Sequence, residues 1–307
     1  MNHGSKRKKS KKGGWPAAPR GPMPAWASCP ASGAYASFLD AFRVCGQGMF
    51  AYCRKGQGGE FAFLLATVSV LRGGLEQMVI GDSVPEEEFR REILEKSARA
   101  AGYLVGPAPP ETVATILWGA YEFMCRQGYM LPPGDLGKLK AFVPQPFGSP
   151  KGCLNALTGP GGLVAPRLLD LAVELGTDAE LPEGKEQMVI TTARFRADDA
   201  DALLAWMRAS EPDLTEVGRE EDGAHFNWTR AYPKGHWSPF ARERGARQEL
   251  GDVVVSGDAL RIETKVASAA ARFAQLLHEQ YPGRVRLEGV EWKSWKEWLH
   301  WNDREEQ

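Results

Sequence analysis

Residues 250–263 read LGDVVVSGDALRIE and decide the fold of the second half of the chain. Val253 and Val255 before Gly257-Asp258, and Leu260 and Ile262 after it, stand at every second position. A period of two is typical of half-buried strands, and a glycine-containing pair between two such runs forms a tight turn. The stretch therefore predicts an antiparallel β-hairpin.

On either side of this hairpin, stretches with the pattern of a strand follow or precede stretches with the pattern of a helix. We predict further strands at 187–195, 225–230 and 284–290, and helices at 198–209, 268–281 and in the last residues of the sequence. Strands that follow one another with few helices between them favour an antiparallel sheet with helices on one face.

The first half of the chain predicts a second unit of the same class. Met49–Arg54 and Glu60–Val70 read as two strands that the glycine-rich GQGG joins, and helices are predicted over Ala34–Val44, Glu86–Ala101 and Thr112–Gln127. The fold class is therefore α+β, in two units that each pack helices on an antiparallel or mixed sheet, preceded by a disordered basic N-terminal tail.

The local composition of the sequence predicts the domain boundaries. Proline, glycine, serine and asparagine are concentrated between residues 141 and 166, which is typical of a linker. We predict a disordered basic tail and proline-rich linker over 1–30, an N-terminal α+β domain over 31–145, a Gly/Pro-rich linker region with a short helix over 146–186, and a C-terminal α+β domain over 187–307.

The totals describe an ordinary globular protein. Apolar residues make up 43% of the 307 residues, and the 38 basic residues nearly balance the 39 acidic ones. No apolar run is long enough to span a bilayer, and no apolar segment follows the basic N-terminus as it would in a secretory signal. The five cysteines form no C-x-x-C pattern, which favours reduced thiols. We expect a cytoplasmic protein without a membrane partner.

One segment departs from this balance. Residues 5–12 read SKRKKSKK, and we call them the basic segment; its six cations are Lys6, Arg7, Lys8, Lys9, Lys11 and Lys12. Charge of this density attracts the phosphates of RNA or DNA without reading their sequence. The alternative is a solubilising tail with no nucleic-acid role.

The hairpin carries a possible catalytic pattern. Asp252, followed by Glu263 and Lys265, has the order of the metal-dependent PD-(D/E)xK nucleases, in which two carboxylates hold a divalent cation and the lysine stabilises developing charge. These residue types are also common on exposed strand faces, so a structural role stands beside the catalytic one. The five histidines form no H-x-x-x-H or H-E-x-x-H pattern, and we predict no cofactor and no resident metal.

The sequence ends in a concentration of tryptophans. They recur every third residue, at Trp292, Trp295, Trp298 and Trp301, with lysines between them. On a helix this period drifts around the surface, so the rings cannot all enter one core. Exposed tryptophans beside lysines suit a protein partner or base stacking; the alternative is a terminal helix that packs onto its own domain.

Two segments resemble a group of uncharacterised bacterial proteins. Phe226–Arg230 (FNWTR), the hairpin, and a helix with Ser268 and Arg272 resemble a C-terminal module of proteins that sometimes carry the SEC-C zinc motif, although that cysteine-rich motif is missing here. In the first half, Val68–Leu75 and the Cys-Arg-Gln-Gly-Tyr of residues 125–129 are similar to the companion region. The resemblance implies an architecture and no mechanism.

Three functions follow from these patterns. The first is a non-enzymatic binding or accessory protein that contacts nucleic acid or a ribonucleoprotein through the basic segment and a protein through the tryptophan-rich end. The second is a PD-(D/E)xK-like nuclease. The third is a protein-interaction module with no nucleic-acid role.

Overall fold

The structure, a computed structural model, describes residues 29–56, 61–82, 84–175, 188–211, 213–220, 223–232 and 246–298. The basic segment, residues 57–59 of the GQGG turn and Trp301 lie outside these ranges. The described residues form two antiparallel sheets with helices packed on them, which confirms the α+β class and the two units.

The first sheet has the strand order β4-β3-β2-β1-β5, and every neighbouring pair is antiparallel. Its strands are β1 Ala31–Ser37, β2 Gln47–Lys55, β3 Phe61–Ser69, β4 Gly74–Gly81 and β5 Val105–Pro107. The helices of this half are α1 Leu39–Cys45, α2 Glu86–Glu88, a π-helix at Phe89–Glu95, α3 Lys96–Ala101, α4 Pro110–Arg126, α5 Pro133–Phe142, α6 Pro150–Thr158 and α7 Pro166–Leu175.

The first sheet is covered on both faces. Phe89 in the π-helix packs on one face, with its ring centroid 4.5 Å from that of Phe63, while α4 packs on the other. Strands β2 and β3 therefore carry continuous buried apolar runs, at residues 49–53 and 61–66, as expected when neither face is solvated.

The second sheet has the order β11-β6-β10-β9-β8-β7 and is also antiparallel throughout. Its strands are β6 Val189–Ala197, β7 Leu214–Glu220, β8 Gly223–Ala231, β9 Arg247–Ser256, β10 Ala259–Thr264 and β11 Val285–Ser294, and its helices are α8 Ala200–Ala209 and α9 Ala267–Gln280. The hairpin prediction is confirmed, because Ser256 pairs with Ala259 across a turn in which Gly257 has φ +55°. We call the face that carries Trp228 and packs on α9 the inner face, and the opposite one the outer face.

The structure departs from the sequence predictions at several elements. Ala34–Ser37 is strand and not helix, because Ala34, Tyr35 and Ala36 pair with β2, and α1 begins only at Leu39. Strands β4, β5 and β7 and helix α5 were not predicted. Strand β11 continues to Ser294, beyond the predicted end at residue 290, because it pairs with β6 along its whole length.

The range 146–186, for which we predicted a linker with one short helix, holds two helices in its described part. Helices α6 and α7 bury Cys153, Leu154, Leu157, Leu168 and Leu171. Each helix is too short for its apolar stripe to stand out from the surrounding prolines and glycines. Helix α6 lies close to α4 at Gly119, where a Cβ would come within 2.9 Å of Leu157 Cδ2.

The two units share one continuous set of buried residues. Helix α1 packs on α9, and the Phe38 and His278 rings stack with centroids 3.9 Å apart. Trp292 on β11 donates a hydrogen bond from Nε1 to the backbone oxygen of Val44, at 2.8 Å. Among the described residues, no helix is both long and apolar enough to cross a bilayer.

Candidate functional site

The structure places two of the three nuclease-like residues, Asp252 and Glu263, side by side on the outer face of the second sheet. Asp252 on β9 and Glu263 on β10 are direct cross-strand partners. Lys265 follows Glu263 by two residues and lies just past the end of β10 at Thr264. Asp252 and Glu263 are therefore neighbours across the hairpin.

Each of these three side chains already has a partner. Asp252 Oδ1 lies 3.2 Å from His225 Nε2, and Glu263 Oε2 accepts a hydrogen bond from Thr192 Oγ1 at 3.3 Å. Lys265 Nζ forms an ion pair with Glu249 at 3.3 Å. The side chains therefore form a cross-strand polar network, which is a common way to stabilise a solvated sheet face.

The outer face around Asp252, Glu263 and Lys265, which we call the trio, is charged and exposed. Arg194 forms an ion pair with Glu291 at 2.8 Å, and Arg196 pairs with Glu288 at 2.6 Å and with Asp258 at 3.0 Å. The hydrogen bond from Arg194 lowers the pKa of Glu291 below its usual value. Within the described ranges, no group of three or more His, Cys, Asp or Glu side chains is placed to hold a metal ion. The trio lies on an open surface, where a substrate phosphate would remain in water.

The structure separates the tryptophans into two groups. Trp292 is buried on β11 and bonded to Val44, so it belongs to the core and not to a partner surface. Trp295 and Trp298 follow on a helical turn at residues 295–298, with their rings stacked at a centroid distance of 4.9 Å and an interplanar angle of 19°. Both are partly exposed. The sequence prediction of one tryptophan helix is therefore wrong for Trp292.

A capping box fixes where this turn begins. Glu297 accepts a hydrogen bond from the Ser294 backbone N–H at 2.7 Å, and Ser294 Oγ accepts one from the Glu297 N–H at 3.2 Å. Ser-x-x-Glu is the sequence signature of a helix N-terminus. The sequence analysis missed this motif at residues 294–297, which would have placed Trp292 before the helix.

An arginine from another element holds the same turn. Arg167 on α7 donates from Nη2 to both carboxylate oxygens of Glu297, at 2.6 and 2.8 Å, and from Nη1 to Glu174 at 2.7 Å. The Ser294 N–H and the charge of Arg167 together lower the pKa of Glu297. The stacked tryptophans are therefore presented on a turn with defined geometry.

The remaining predicted site residues cannot be placed. The six cations of the basic segment and Trp301 fall outside the described ranges. All five cysteines are free thiols; Cys45, Cys53 and Cys153 are buried, and burial together with the nearby charge of Glu86 raises the pKa of Cys53 to about 12. No protein family, curated protein or solved structure was found to match this chain.

Proposed function

We propose that this chain is a non-enzymatic binding or accessory protein of the cytoplasm. It contacts nucleic acid or a ribonucleoprotein through the basic segment, and a protein partner through the tryptophan pair, by which we mean Trp295 and Trp298. The observation that carries this proposal is the stacked, partly exposed geometry of that pair.

The tryptophan pair has the properties of an interface anchor. Large aromatic side chains dominate the binding energy of protein interfaces, and they do so best when polar residues surround them and exclude water. Here Lys296, Glu297 and Arg167 supply the polar surroundings. Two stacked rings also lose little conformational freedom on binding, because the capping box and the ion pair already hold their backbone.

The nucleic-acid part of the proposal rests on the sequence. Six cations within residues 5–12 create a local positive charge, although the chain as a whole has a formal net charge of −1. Such a segment binds polyanions by releasing counterions, and it does not distinguish one sequence from another. Specificity then requires the protein partner.

The test is co-purification from cells that express the full-length chain, followed by identification of the bound RNA, DNA and protein. Replacing both Trp295 and Trp298 by alanine should remove the protein partner and leave the bound nucleic acid. Tyr129→Ala, at an exposed aromatic residue of the first unit, serves as the matched control. A protein that remains bound to the double variant in full amount would contradict the assigned surface.

A nuclease is the second candidate, because Asp252 and Glu263 do face each other. We expect no Mg²⁺-dependent cleavage of RNA or DNA by the full-length chain. Cleavage that Glu263→Gln abolishes, while Glu288→Gln on the same face does not, would establish the nuclease in place of the binding role. Cleavage that both variants retain would point to a contaminating enzyme.

A further inference from the structure

A cleft opens where the two units meet. One wall is the loop that follows α3, with Gly102 and Tyr103; the other is formed by the ends of β8 and β9 and by α9. The cleft consists of two adjoining cavities of about 400 and 350 Å³, and Tyr103, Arg230 and Gln275 line both. This is the size range of small-molecule binding sites.

The larger cavity is positively charged, whereas the smaller one is also lined by Arg99, Asp213 and Glu279. Arg230 on β8 and Arg272 on α9 line both cavities, and no acidic residue is among the described residues that line the larger one. Arg230 Nε donates to Gln248 Oε1 at 3.1 Å, which orients its guanidinium. Arg272 is exposed and makes no ion pair with any residue that the structure describes. Its charge is thus available to a ligand.

A buried amide faces the same space. Gln275 is only 8% exposed, and it lines both cavities. Its side chain forms no hydrogen bond with the described residues. Gln275 is not among the described side chains whose polar atoms are fully cut off from solvent without a partner, so its amide is open to the cleft, where water or a ligand can supply the hydrogen bond.

The first turn of α9 adds a further favourable feature for an anion. Val266 is the N-cap, and it has no side chain that can cap the helix. Val266, Ser268 and Ala269 line the larger cavity, so the positive end of a 14-residue helix lies at its wall. Arg230 from β8 thus converges on one space with Arg272, Gln275 and the N-terminus of α9.

We propose that this cleft binds a small molecule that carries an oxyanion, either a phosphate or a carboxylate. Arg230 and Arg272 hold the anion, since a guanidinium matches the geometry of paired oxyanion oxygens. Gln275 donates a hydrogen bond from the floor of the cleft, and Tyr103 closes it from the first unit. The described residues that line the cleft do not include the tryptophan pair, so the cleft adds a small ligand to the proposed binding role.

Isothermal titration calorimetry of the full-length chain tests this site, with inorganic phosphate and succinate as the two probes. We expect saturable binding of at least one of them. Arg272→Gln and Gln275→Leu should each weaken that binding by about tenfold or more, because each removes a hydrogen bond to a charged group. Arg261→Gln is the matched control, since Arg261 is an exposed arginine on the outer face with no ion pair among the described residues.

The basic segment also attracts phosphate, so the test depends on comparing the affinities of the variants with that of the unmodified chain. Binding of phosphate alone assigns a phosphate-bearing ligand, and binding of succinate alone assigns a carboxylate. The proposal is overturned if neither probe binds at millimolar concentration, or if Arg261→Gln weakens binding as much as Arg272→Gln does. Circular dichroism establishes that each variant is folded, and Arg272→Lys, which keeps the charge, should retain part of the affinity.

Discussion

Replacing Trp292 by phenylalanine probes the contact between the two units. The indole is 7% exposed, and its Nε1 donates to the Val44 carbonyl, which lies in the last turn of α1 and has no acceptor role within that helix. Trp292→Phe removes this donor and leaves a buried carbonyl without its partner, which costs about 1–3 kcal/mol. The smaller ring also leaves a cavity, so we expect a total loss of about 2–4 kcal/mol in the free energy of unfolding.

Urea unfolding followed by far-ultraviolet circular dichroism measures this loss. Trp295→Phe is the control, because Trp295 is partly exposed and forms no hydrogen bond with the described residues, and we expect it to change the free energy of unfolding by less than about 0.5 kcal/mol. If Trp292→Phe proved as mild as Trp295→Phe, Trp292 would belong to the exposed helix predicted from the sequence and not to the core.

Three further predictions concern single sites. Gly251→Ala should destabilise the protein by about 2 kcal/mol or more, since its Cβ would come within 2.3 Å of a backbone oxygen on β10. Gly218→Ala on β7 is the control: its Cβ would meet nothing within 4 Å, so it should change the free energy of unfolding little in the same urea assay. The pKa of Glu297 is lowered in the folded state. Its contribution to stability is therefore present above the usual carboxyl pKa and is lost as the pH falls through the lowered value. Between pH 6 and pH 3, the free energy of unfolding should fall less for Glu297→Gln than for the unmodified chain. Cys53, with its pKa raised to about 12, should react with iodoacetamide in the folded protein far more slowly than Cys29, as peptide mass spectrometry can determine.

Local patterns were sufficient to predict much of the fold. The β9–β10 hairpin follows from alternation around Gly257, and α4 follows from Pro110 at its start and the left-handed Gly128 after its end. The predictions failed where pairing between distant segments decides the outcome. Ala34–Ser37 becomes a strand because β2 lies beside it. No residue near 34–37 in the sequence carries that information.

The candidate sites, too, were predictable where local sequence determines them and unpredictable where distant segments meet. The opposition of Asp252 and Glu263 was predictable because both belong to one hairpin. Their partners His225 and Thr192 come from other strands, whose register the local sequence does not determine. The cleft could not be predicted at all, since its lining residues from β8, α9 and the loop after α3 meet only when the two units pack together.

The most direct test of the binding role is a salt titration of the full-length chain and of a form without residues 1–14, with the same RNA and the same duplex DNA. Removal of the six cations should weaken binding and reduce the slope of log affinity against log salt, by up to about 4 for single-stranded RNA and about 5 for duplex DNA, at roughly 0.7 and 0.9 per neutralised phosphate. Both changes arise from the same released counterions, so they must occur together. Equal affinity and equal slope for the two forms would contradict the assignment of the basic segment as the nucleic-acid contact.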